Sequence, residues 1–254
     1  MPSPFRCAAR RLLPLLALLA PLVAIAASPV RDAMQLVVVT APTWDAPSGR
    51  LQAYDRTDHG WQAHGAAFAV ALGRSGSAWG IGLHPAQTDG PQKQEGDGRS
   101  PAGVFTIGEA FGYAPRIDSG MPYRPMLASN YCMDVPDSPL YNRIVDAEVV
   151  GADAVEGSSE PMRLDLHNDG DRRYREGFVI EHNPRAEPGQ GSCIFAHLWR
   201  TPGEATAGCT AMEPEYMAAL LGWLAPAAHP LFVLLPEAEY RRLRESWGLP
   251  PLHP

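Results

Sequence analysis

The stretch that decides the reading runs from Gly191 to Met212: Gly-Ser-Cys-Ile-Phe-Ala-His-Leu-Trp-Arg-Thr-Pro-Gly-Glu-Ala-Thr-Ala-Gly-Cys-Thr-Ala-Met. An apolar, strand-like run ends in His197, a Pro202-Gly203 turn follows, and then comes Thr206-Ala207-Gly208-Cys209. A turn between them lets a thiol and an imidazole twelve positions apart meet in space. Cysteine acyl-transfer chemistry needs that pair, with the imidazole removing the thiol proton and the thiolate attacking. Gly208 permits a sharp bend, so the amides of Gly208 and Cys209 are candidate oxyanion donors. The Thr206 hydroxyl is placed to steady the turn. No acid in the sequence is an obvious partner for His197, so a backbone carbonyl near Leu198 is expected to fix its tautomer.

Cysteine arithmetic supports Cys209. The chain has four cysteines, and Cys7 falls in the N-terminal leader described below. Cys132, Cys193 and Cys209 remain, an odd number for an oxidising compartment, so at least one is free or paired between chains. Cys193, inside an apolar run, reads as buried and inert or as half of a disulfide. Whether it pairs with Cys132 is left open by the sequence.

Residues 1–27 read as a secretory signal peptide. Arg6, Arg10 and Arg11 precede an apolar run from Leu12 to Ile25, broken by Pro14 and Pro21, and Ala24-Ile25-Ala26 offers a cleavage site. The run is too short and interrupted for a membrane span. Arg10-Arg11 hints at twin-arginine export, but its flanks fit that signal poorly. Residues 28–254 then suit one domain, exported to the periplasm or cell envelope. An apolar fraction of 45% supports a packed core. The net charge of -7 comes without basic tracts, which argues against nucleic-acid and anionic-membrane partners. No second apolar run is long enough to span a bilayer.

Periodicity points to strands at Gln35–Thr40, Leu51–Tyr54 and Trp61–Gly73, with Asp58-His59-Gly60 as a hairpin turn, and at Val104–Ile107, Gly177–His182, Ser192–His197 and Leu231–Leu235. Helices are expected at Glu213–Leu224, with Pro214 in its first turn, and at Pro236–Trp247, closed by Gly248. Residues Pro85–Pro101 read as a surface loop, Pro115–Tyr141 as a long ordered loop beside a cleft, and Gly151–Glu160 as a small acidic loop. Many short strands and few helices imply a mainly β fold, a sandwich or barrel.

Three segments together resemble the L,D-transpeptidase catalytic domain of the YkuD-like family. Lys93-Gln-Glu-Gly-Asp-Gly-Arg-Ser-Pro-Ala-Gly-Val-Phe105 resembles the family's charged loop leading to TPxGxF. Tyr131–Asn142 carries Asp134, Asp137, Ser138 and Tyr141-Asn142, and Gly191–Met212 carries His197 and Cys209. The resemblance covers roughly Gln35 to Leu235. It implies a β-rich fold with a few peripheral helices, a cysteine nucleophile, and peptidoglycan stem peptides as substrate. Thr206, Gly208 and Cys209 match the family's Ser/Thr-His-Gly-Cys motif. Ala207 stands where a second His is usual, and Thr210-Ala211-Met212 lacks the motif's basic residue. The base therefore rests on His197, and the group that holds the substrate carboxylate is open.

The implied reaction is acyl transfer through a thioester on Cys209 with release of D-alanine, an amine or water serving as acceptor. Arg200, Tyr123 and Tyr131, with Arg124, are further candidates for substrate contact. His167 and His182 lack partners at zinc-ligand spacing, so neither a metal nor another cofactor is expected. Glu95, Asp97 and Arg99 read as a solvated face, and Trp223 as core. A monomer is the default. A hydrolytic carboxypeptidase or endopeptidase, a non-catalytic wall-binding module and a general cysteine protease are the competing readings.

Overall fold

A computed structural model describes Met1 and residues 28–252, so nearly all of the expected signal peptide lies outside the described residues. The chain opens with an antiparallel meander, β1 (Gln35–Ala41), β2 (Ser48–Thr57) and β3 (Gly60–Ala71). Asp58 and His59 form the hairpin loop, with Thr57 opposite Gly60. Next come β4 (Ser77–Trp79), the long β5 (Ser100–Gly112) and β6 (Tyr123–Pro125). A separate three-stranded antiparallel sheet holds β7 (Asn130–Cys132), β8 (Ile144–Asp146) and β9 (Glu160–Pro161), accompanied by the short helices α1 (Ala147–Val150) and α2 (Leu164–His167). The chain then forms β10 (Glu176–Ile180), β11 (Phe195–Leu198), β12 (Thr210–Met212), α3 (Pro214–Trp223), β13 (Leu231–Pro236) and α4 (Glu237–Trp247).

The main sheet closes on itself. Its order is β10-β11-β12-β3-β2-β1-β13-β5, and β5 pairs back onto β10, giving an eight-stranded ring with β4 and β6 alongside β5. Closure leaves the ring without free edges, so its backbone groups pair internally. The fold is mainly β and barrel-like with few helices, as the strand spacing and the family resemblance imply.

Two strands show why this sequence makes this core. Leu36–Val39 and Leu231–Leu235 are unbroken apolar runs, the pattern of strands buried on both faces. β1 and β13 pair in parallel at the centre of the sheet, and every residue of β13 is buried. One face looks into the barrel. The other lies under α4, whose Tyr240, Leu243 and Trp247 fall at i, i+3 and i+7 and are buried. Gly248 ends α4 in the left-handed region at φ 67°, which glycine adopts without the Cβ penalty. In α3, Met217, Leu220 and Leu221 are buried, matching the expected spacing.

Three loop expectations need correction. Pro115–Tyr141 is not strand-free, because β6 and β7 lie in it. The acidic loop ending at Glu160 finishes in β9. Glu95, Asp97 and Arg99 do not form a solvated face. Lys93 is buried and pairs with Asp97 at 2.5 Å, Glu95 accepts from Tyr141 and Ser192, and Arg99 donates to Ser77 O at 3.0 Å and pairs with Asp45 at 2.8 Å. The partners of Glu95 and Arg99 are distant in sequence, so the charged composition alone read as solvent-facing.

Phe232 lies between Val37 and Phe105 and is 1% exposed. Phe232→Ala should cost about 3–5 kcal/mol in urea unfolding. Leu166→Ala, at an exposed position of α2, should stay within about 0.5 kcal/mol. Equal costs would mean that β13 is not at the core.

Candidate active site

β11 and β12 are parallel neighbours with Ala196 opposite Thr210 and His197 opposite Ala211. Continued one step, this register sets Cys209 beside Phe195, so Cys209 and His197 stand two residues apart along one face. The connection between them runs past the end of β3. The Thr206 amide donates to Leu72 O at 2.8 Å, and the Arg74 amide donates to Thr206 O at 2.8 Å. The turn is then closed by hydroxyls. Thr206 Oγ1 donates to Cys209 O at 2.7 Å and accepts the Gly208 N–H at 3.1 Å, and Ser100 Oγ donates to Cys209 O at 3.0 Å. Gly208 is needed for closeness, because a Cβ there would sit 3.0 Å from Arg99 O. The Thr206 hydroxyl thus bridges the two ends of the turn. It also occupies the Gly208 amide, which leaves the Cys209 amide as the stronger candidate oxyanion donor.

Cys209 is the free cysteine among the described residues, and Cys132 and Cys193 form a disulfide with Cα atoms 5.9 Å apart. This bond ties β7 to the segment leading into β11. Asn142 braces the same place, accepting the Cys193 N–H at 2.9 Å and donating to His182 O at 2.8 Å. Cys209 Sγ donates to Cys193 O at 3.6 Å and accepts the Phe195 N–H at 3.3 Å. A thiol that donates is protonated. Burial pushes the Cys209 thiol up to about 12, the nearby Glu160 carboxylate adds to the rise, and the Phe195 N–H opposes it.

His197 is buried, and its Nδ1 lies 2.7 Å from Leu198 O, the carbonyl expected from the sequence. A carbonyl only accepts, so Nδ1 carries the proton and Nε2 keeps its lone pair. Burial lowers the His197 pKa to about 4. Thiol and imidazole are therefore both neutral at pH 7. No hydrogen bond joins them, which departs from the expected contact that would raise the thiolate fraction. The thiol is instead directed to Cys193 O, within a cluster that also holds Phe195, Tyr174 and Phe111, and Tyr174 meets the His197 ring at 5.2 Å.

Both residues line a cavity of about 540 Å³. Its wall also carries Lys93, Arg74, Arg173, Glu95 and Glu160. Arg173 pairs with Asp171 at 2.7 Å. Glu160 accepts from the Tyr174 hydroxyl, and burial raises its pKa to about 7. The sequence reading missed Tyr174, Glu160, Arg173 and Arg74. No motif marks them, and they reach the cavity from three different parts of the chain, Arg173 and Tyr174 being neighbours.

The other candidates lie elsewhere. Tyr123 sits on β6 with its hydroxyl on Ala114 O, Arg124 pairs with Glu109 at 3.3 Å, and Arg200 pairs with Glu204 on the exterior. None of the three lines the cavity. Tyr131 backs it indirectly, its ring 5.6 Å from that of His167, which does line it. His182 is buried, accepting the Ile81 N–H at 3.2 Å, with Nε2 on Gln190 O at 2.9 Å. Trp223 is half-buried against the core, stacked on His64. Among the described residues, no cluster of three or more His, Cys, Asp or Glu side chains could hold a metal ion.

The chain matches the YkuD family, the L,D-transpeptidase catalytic domain, over residues 43–233, and it belongs to that family. No curated protein sequence matches it. It is similar to the crystal structure of the helical cell shape determining protein Pgp2 from Campylobacter jejuni, at 13% identity and a TM-score of 0.36, over 81% of this chain and 49% of that one. The chain thus spans about half the length of that protein.

The electrostatics predict the reactivity of the thiol. Alkylation of Cys209 by iodoacetamide, followed by peptide mass spectrometry, should be slow at pH 7 and still rising at pH 10. Glu160→Gln should speed it above pH 7, where the wild-type carboxylate is charged, and not below. A plateau near pH 7 in the wild type would show a thiolate already formed.

Proposed function

We propose that the chain is an exported L,D-transpeptidase that acts on peptidoglycan stem peptides through a thioester on Cys209. The observation that carries this reading is the pairing of free Cys209 with neutral His197, whose Nδ1 is held by Leu198 O, on one cavity wall. Family membership supports the substrate class. Export rests on residues 1–27 as read from the sequence. Among the described residues, no helix is long and apolar enough to cross a membrane.

The substrate carbonyl belongs to the diamino-acid residue that precedes a terminal D-alanine. Because the resting pair is neutral, deprotonation accompanies attack rather than preceding it. Cys209 Sγ forms its bond to the carbonyl carbon as His197 Nε2 takes the thiol proton. The negative charge passes to the carbonyl oxygen, where the Cys209 N–H stabilises it. Collapse breaks the C–N bond, His197 returns the proton to the leaving amine, and D-alanine departs. The amine of a second stem then attacks the thioester, giving its proton to Nε2, the C–S bond breaks, and the departing thiolate takes that proton to regenerate the thiol. Water in place of the amine would yield the trimmed stem.

Purified protein incubated with disaccharide-tetrapeptide fragments should release D-alanine and form cross-linked dimers, read by mass spectrometry. Cys209→Ala should abolish release, and His197→Ala should lower it by at least about a hundredfold. Release with tripeptide alone would assign a hydrolase. No reaction in any variant would favour a wall-binding module or cleavage of another bond.

A further inference from the structure

The cavity wall carries three cations, and two of them are already matched. Lys93 is buried against Asp97 and Gln94 O, and Arg173 is paired with Asp171. Arg74 differs. It is exposed at the cavity, and its guanidinium has no carboxylate or carbonyl partner among the described residues. Its backbone, by contrast, is fixed by the amide bond to Thr206 O at 2.8 Å and by the bridge between Gly73 and Thr206. The side chain is also seated. A Cβ on Gly98 would lie 3.0 Å from Arg74 Cζ and 3.1 Å from Nε, so the absence of a side chain at Gly98 makes the bed on which the guanidinium lies. Arg74 therefore stands next to the Thr206–Cys209 turn with its forked donors unspent.

We infer that Arg74 is a substrate-binding residue that holds a carboxylate of the stem peptide, taking the place of the basic residue missing from Thr210-Ala211-Met212. The inference rests on the proposed substrate class. A guanidinium binds a carboxylate through two parallel N–H donors, and a lysine supplies only a point charge. A stem peptide offers two such groups outside its diamino acid, the terminal carboxylate and the α-carboxylate of the isoglutamyl residue, and a diaminopimelate residue adds a third on its second centre. The chemistry is the same, and amidating one at a time separates them.

Binding is measured by calorimetry on the full chain carrying Cys209→Ala, so that no turnover is required. Adding Arg74→Ala should weaken the acid fragment about tenfold or more, with Arg74→Lys intermediate. The fragment amidated at the contacted carboxylate should bind weakly to both proteins, with no further loss from Arg74→Ala, whereas amidation at any other carboxylate should leave the effect of Arg74 intact. An Arg74→Ala effect of equal size on the acid and on every singly amidated fragment would overturn the contact, as would no effect at all or no binding of the acid fragment at millimolar concentration. Unchanged thermal unfolding of the Arg74 variants establishes that the loss is not one of fold. If binding follows this pattern but the protein with its thiol intact releases no D-alanine, the carboxylate site stands and the proposed reaction falls.

Discussion

The parallel pairing of β11 with β12 is the constraint on which the site depends. Antiparallel neighbours can be joined by a tight turn, but parallel ones need a connection that travels back along the sheet. Here the residues between Leu198 and Thr210 make that return without a helix. They manage it by pairing with the end of β3 through Thr206 and by tightening at Gly208. The return delivers Cys209 to the start of β12, one strand away from His197 and on the same face. Barrel closure through β5 and β10 then fixes β11 from its other side.

The same packing that places Cys209 also keeps its thiol neutral. Phe195, Tyr174 and Phe111 share a buried cluster with Cys209, and Glu160 adds a negative charge nearby, so the thiol pKa rises. Burial acts in the opposite sense on His197, because for an imidazole the charged form is the protonated one. Both shifts favour neutral groups. At neutral pH the site holds two neutral partners. The Cys132–Cys193 disulfide belongs to this arrangement, since Cys193 O is the acceptor of the Cys209 thiol.

Much of the scaffold was legible because its signals are local. The Asp58-His59-Gly60 turn, the apolar run at Leu231–Leu235, the spacing of Met217, Leu220 and Leu221, and the stop at Gly248 each depend on a few neighbouring residues. Odd cysteine arithmetic singled out a free thiol, and the lack of an acid partner pointed to the Leu198 carbonyl. What stayed hidden depends on distant contacts. Glu95 and Arg99 look solvent-facing until Tyr141 and Ser192 close on the one and Ser77 and Asp45 on the other. Arg74, Glu160 and Tyr174 carry no motif, and Arg200 looked promising only because it follows His197 closely in sequence. Its side chain in fact turns outward to Glu204.

The central claim is that Cys209 carries the acyl group. Intact-protein mass spectrometry of the wild type, quenched in acid soon after mixing with a disaccharide-tetrapeptide, tests it directly. The account predicts an adduct equal to the fragment minus D-alanine, mapped to Cys209 and released by hydroxylamine. D-alanine release with no such adduct, or with the acyl group on another residue, would contradict it.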